Sequence, residues 1–121
     1  MIGKVEEAAL IASHALDVSR HHAERSREAG ALYVLGEIAQ VGTPTDFAKA
    51  EENYRRAMAL AEGLRMRPLL AHCQASLGKL YRRTGNYEKA TTHLANAVAM
   101  MRDMEMGLWL EKAEAELKEL S

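Results

Sequence analysis

Lys79, Arg82 and Arg83 are the residues whose types and spacing could act together on a ligand. Side chains three and four positions apart share one face of a helix, so these three cations can converge on one anionic group. A second reading stands beside it: Arg82 and Arg83 close a helix and complement the negative end of its dipole. The five histidines raise metal binding, with His14, His21 and His22 close together in the chain. On a helix His14 and His21 lie about 10.5 Å apart along the axis, too far to chelate one ion without a further element, and solvated helix histidines are expected. Cys73 falls on an apolar stripe, where a small buried thiol is expected rather than a nucleophile. There is no glycine-rich phosphate loop, no H-E-x-x-H and no G-x-S-x-G. No catalytic, cofactor-binding or metal-binding residue is therefore expected, and the chain does not read as an enzyme.

The elements that must position the basic cluster are helices. The stretch Leu77 to Ala97, LGKLYRRTGNYEKATTHLANA, is the clearest: a helix ending in Arg83, a Gly85-Asn86 break, and a second helix capped by Asn86. Gly78, Ala90 and Ala97 are small enough to let the two helices approach, and Tyr81, Tyr87 and Leu94 fill the space between them. Elsewhere, helical spacing predicts an amphipathic opening helix over 4–23, with Val5, Ala8, Ala12 and Leu16 on one side. A helix over about 25–40 ends at Val41-Gly42-Thr43-Pro44. The next covers roughly 45–63, with Thr43 or Asp46 as cap and Pro44 suited to a first helical position, and Gly63 closes it. Helices over 68–83 and from 86 to about 104 follow, and a closing helix covers 107–120. Met100, Met101, Met104 and Met106 lie beside Trp109 at the seam with that last helix. The expectation is an all-α chain of about six helices forming one domain, 1–121.

The totals narrow the function further. With 121 residues, 16 basic and 17 acidic side chains and a formal charge of -1, the chain gives no electrostatic reason to expect nucleic acid or an anionic membrane as partner. No apolar run approaches the roughly 20 residues that span a bilayer. The single cysteine rules out an intrachain disulfide and fits a reducing compartment, so a cytoplasmic location is expected.

The series Leu77-Gly78, Tyr81, Gly85-Asn86, Tyr87, Ala90, Leu94 and Ala97 resembles a tetratricopeptide repeat. Gly36 and Gly78 are 42 apart, Ala8 and Ala50 are 42 apart, and Ala50 and Ala90 are 40 apart, which resembles the long 40 to 42 residue variety of that repeat. Residues 54–117 are similar to the C-terminal repeat segment of bacterial regulators in which an ATPase or nucleotide-cyclase module precedes the repeats. Gln74 and Leu32 stand where the pattern prefers Trp, and Ala39 where it prefers Tyr. The resemblance implies a right-handed superhelix of antiparallel helix pairs: an unpaired repeat helix at 4–23, repeats at 25–63 and 68–104, and a capping helix at 107–120.

It also implies a concave surface lined by the first helix of each repeat, which places Tyr33, Glu37 and Gln40 there from one repeat and His72, Ser76, Lys79, Arg82 and Arg83 from the next. That surface is expected to take a protein or peptide, and four basic side chains against the single acid Glu37 favour one offering carboxylates. The chaperone-tail clamp of relatives needs asparagines that both first helices lack. The unpaired opening helix would expose a patch, and either a two-fold homodimer through Val5, Leu10, Ile11 and Leu16 or an upstream helix of a longer protein would cover it. A different class of function stays open: the regulatory segment of a larger bacterial nucleotide-dependent signalling protein.

Overall fold

Turns of one design set the spacing of the helices. At Arg65, Gly85 and Glu105 the backbone enters the left-handed region, with φ of 58°, 85° and 55°. Each turn closes in the same way, with the amides of Met66, Asn86 and Met106 donating to the carbonyls of Ala61, Tyr81 and Met101 at 2.8, 2.8 and 2.9 Å. This satisfies carbonyls that a helix C-terminus would otherwise leave open. The computed structural model describes the backbone from Ile2 to Ser121 and side chains from Glu7 onward. It contains α1 (Ile2–Val41), α2 (Phe47–Gly63), α3 (Arg67–Arg83), α4 (Tyr87–Asp103) and α5 (Gly107–Glu119), with no strand among the described residues.

The 40-residue interval follows from these parts, since α2, α3 and α4 each hold 17 residues and are separated by three-residue turns. The connection from α1 to α2 is longer by two residues, Thr43 and Pro44 being the excess, and this accounts for the interval of 42. Asp46 caps α2 by accepting from the Lys49 amide at 3.0 Å, and Asn86 caps α4 by accepting from the Lys89 amide at 3.3 Å. Pro44 lies in the turn and not at the first helical position, and α2 ends at Gly63 as expected, with left-handed Arg65 completing the turn beyond it. The expected break between 23 and 25 is absent: α1 runs through it, giving five helices. No glycine or proline lies between Ser19 and Ala29, so nothing local ends the helix there.

Short turns lay successive helices antiparallel, and α1 with α2 and α3 with α4 form the two closest pairs. Both pairs depend on a glycine. A Cβ at Gly78 would stand 2.5 Å from Leu94 Cγ and 3.3 Å from the Ala90 carbonyl oxygen, and one at Gly36 would stand 2.7 Å from the Tyr54 ring. Between the pairs, Ala50, Tyr54, Leu77, Leu80, Tyr81 and Ala90 make the central core. Leu32, Ala57 and Cys73 extend it toward one end, and Ala97, Met101 and Ala113 seat α5.

Two substitutions test this framework in opposite directions. Gly78→Ala should lower unfolding free energy by about 1 to 3 kcal/mol, because Leu94 is fully buried and the Ala90 carbonyl cannot retreat. Arg65→Gly should raise it by about 0.5 to 1 kcal/mol, because glycine adopts the left-handed turn without the Cβ penalty. Denaturant melts of both variants give the comparison.

Candidate functional site

Helices α1, α3 and α5 turn their polar edges to one side of the stack, and a cleft of about 160 Å³ opens there. Tyr33 and Glu37 of α1, His72, Ser76 and Lys79 of α3, and Trp109 and Lys112 of α5 line it. A shallower depression of about 400 Å³ continues it past Lys79, between Gln40, Arg82, Arg83 and Glu116. All eight residues expected on the concave surface thus line these two adjoining depressions.

The floor is a hydrogen-bonded network centred on Glu37. Its Oε1 accepts from Tyr54 Oη at 2.6 Å and from Ser76 Oγ at 2.7 Å. Gln40 Nε2 donates to Tyr54 Oη at 2.8 Å, and the hydroxyls of Tyr33 and Ser76 are 3.2 Å apart. Burial pushes the Tyr54 phenol well above its ordinary value, with the neighbouring Glu37 carboxylate adding to the shift, so Tyr54 stays a donor. Burial also raises Tyr33, and pushes the Cys73 thiol up to about 12. Cys73 is fully buried and protonated, as an inert core thiol should be.

Above this floor runs an aromatic line. The His72 ring meets Trp109 edge to face at a centroid distance of 4.7 Å and lies 6.1 Å from Tyr33. Lys112 Nζ sits 4.9 Å from the Trp109 ring centroid. Burial depresses the His72 pKa, with Glu37 opposing, and the ring is therefore neutral at pH 7.

The cations differ from expectation. Arg82 is paired with Glu116 and Glu119, both at 2.5 Å, so it fastens α3 to α5 rather than facing the groove as an open charge. Arg83 donates to the Gln40 carbonyl at 2.8 Å and lies over the Phe47 ring at 4.9 Å, which ties α3 back to α1 and α2. Glu37 is not the only acid, since Glu116 borders the second depression. Exposed Lys79 and Lys112 have no ion pair among the described residues. Lys112 and Trp109 were outside the expected set because 107–120 reads as a closing helix. Their signal was the 40-residue interval, which sets Lys112 in register with His72.

The residues expected to self-associate lie elsewhere. Leu10, Ile11 and Leu16 are exposed on α1, and Val5 lies outside the residues with described side chains. Among the described residues no three metal-ligating side chains gather, and no helix is long and apolar enough to cross a membrane.

Comparison with protein families finds the tetratricopeptide repeat over residues 45–103, the span from the α2 cap to the end of α4. Comparison with curated sequences and with solved structures gives no match.

The two half-buried histidines, His72 and His93, set the expected pH response. Burial lowers the pKa of His72 and His93 below the ordinary 6.5, so the unfolded chain binds more protons than the folded one once pH falls through 6.5. Stability should fall in that window as pH drops, and level off with respect to these groups below their folded values. Urea midpoints for wild type and for His72→Gln with His93→Gln check this: the double variant should show a flatter profile between pH 7 and 5.5.

Proposed function

We propose, from the premise that residues 45–103 make this chain a tetratricopeptide-repeat protein, that the α1–α3–α5 groove holds an extended peptide carrying a carboxylate beside an aromatic or apolar side chain. Repeats of this family generally mediate protein–protein interaction, and the fold is typically non-catalytic. The observation that carries the finer reading is that Lys79 of α3 and Lys112 of α5 line one cleft together with the His72 and Trp109 rings, Lys112 lying by the Trp109 ring. Two flexible ammonium groups can meet one carboxylate from both sides, each through a charge-assisted hydrogen bond. The Trp109 and His72 rings offer a face to a flat or apolar neighbour. Glu37 Oε1 already accepts from Tyr54 and Ser76 and holds the floor, which leaves its Oε2 to accept from a donor such as a peptide N–H. Arg82 takes no part in recognition here, since Glu116 and Glu119 neutralise it.

Fluorescence anisotropy with a labelled acidic–aromatic peptide library provides the test. Lys79→Ala with Lys112→Ala should weaken the best peptides about tenfold or more, and Trp109→Ala should weaken those with an aromatic residue, with thermal melting little changed. Affinity should fall as salt rises, because exposed charges are screened over about 8 to 10 Å. Arg82→Ala should instead loosen α5, seen as faster amide exchange there, and leave the peptide preference intact. Equal binding of neutral peptides, or full binding by the double lysine variant, contradicts the proposal.

A further inference from the structure

Helix α1 holds 40 residues and is therefore about 60 Å long, yet among its described side chains the first buried one is Ala29. From there Ala29, Leu32, Gly36 and Gln40 turn into the stack. The opposite side of the same stretch carries Val34, Ile38 and Val41, which are 53%, 58% and 74% exposed. These three belong to a stripe that runs the length of the helix. Its first half is Ala9, Ala12, Leu16, Arg20 and Ala23, and its second half is Arg27, Gly30, Val34, Ile38 and Val41. Every step along it is three or four residues, so all ten positions share one face. The order of the steps is three, four, four, three, four, three, four, four, three, which reads the same from either end.

A stripe with that spacing can lie against its own reverse in register, and the side chains then decide whether the two faces fit. We propose that two copies of this chain associate antiparallel along α1, about a two-fold axis at Arg25. The rotation sets Ala9 against Val41, Ala12 against Ile38 and Leu16 against Val34 of the other copy. Small side chains thus meet large ones at both ends, as interdigitating layers require. Toward the centre, Arg20 faces Gly30 and Arg27 faces Ala23, so each long cationic side chain has room to lie across a small residue. Glu24 and Glu28 flank the stripe on one side, and in an antiparallel pair like flanks meet. Glu24 then adjoins the other copy's Arg27, and Glu28 adjoins its Arg20, so the charges in the stripe are answered twice over by the symmetry. A parallel pair would instead set Arg20 beside Arg20 and Arg27 beside Arg27. The interface is isologous, needs no break in α1, and leaves the groove uncovered because the two lie on different sides of the helix. Residues 29–41 of the two copies are then centred about 30 Å apart along the axis, which presents two grooves from one rod. Leu10 and Ile11 lie off the stripe and take no part. The proposal does not depend on what the groove binds.

Sedimentation equilibrium and site-directed cross-linking test it on the full chain. The wild type should have the mass of a dimer, and Ile38→Glu should raise the dissociation constant about tenfold or more without lowering the helical signal. Because Ile38 is exposed on the separate chain, loss of the dimer is distinguishable from loss of the fold. The register is read by mixing Ala12→Cys chains with Ile38→Cys chains and adding a short bis-maleimide, Cys73 being fully buried. Cross-linking should occur in the mixture and not in either variant alone. A strictly monomeric mass at all concentrations, as a helix supplied by some other protein would give, overturns the proposal. Cross-linking of either variant to itself as readily as in the mixture overturns the antiparallel register.

Discussion

The distance of closest approach at Gly36 and Gly78 governs the rest of the molecule. Where a Cβ would collide with the Tyr54 ring or with Leu94 and the Ala90 carbonyl, the absence of one lets each helix pair close at a single, well-defined crossing. Close packing transmits that geometry, because an interior near crystal density cannot absorb an added methyl without moving its neighbours. With two pairs closed in the same way and joined by turns of one design, α1, α3 and α5 fall on one side of the stack. The groove is thus a consequence of helix spacing before it is a collection of side chains.

The polar floor depends on the same contact. Tyr54 fills the space opposite Gly36 and is fully buried, and its hydroxyl must find a partner there. Glu37, one residue after that glycine, supplies it, and Ser76 joins from α3. Hydrogen bonds to a charged acceptor contribute about 1.5 to 3 kcal/mol each, whereas a buried hydroxyl left alone costs about 1 to 3 kcal/mol. The network therefore holds α1, α2 and α3 in register. Arg82 with Glu116 and Glu119 extends the same restraint to α5, and Arg83 over Phe47 extends it to α2.

Much of this was legible in the residues. Gly78 with Leu94, the Asn86 cap and the Gly85 turn follow from local chemistry, and resemblance to the repeat put Tyr33, Glu37, His72 and Lys79 on one surface. Four things were not legible, each for a physical reason. The left-handed turns at Arg65 and Glu105 use residues that carry no turn signal, so helix ends there are fixed by packing and by carbonyl satisfaction. The partners of Arg82 lie 34 and 37 positions along the chain, on a helix whose register against α3 is set only by tertiary contact. The opening helix was divided by analogy with the repeat, while the local sequence holds nothing that would end it. Trp109 was read only as part of the seam with the closing helix, and Lys112 was not singled out, because that helix was expected to offer an apolar face to the core.

Where a ligand touches the protein tests the groove most directly. Chemical-shift mapping by NMR, with a peptide that joins a carboxylate to an aromatic residue, reads this without altering the chain. The expected result is perturbation of the Trp109 indole N–H, the His72 ring and the backbone amides around Lys79 and Lys112, with the exposed faces of α2 and α4 unaffected. Shifts concentrated on α2 and α4, with Trp109 and His72 silent, would contradict it.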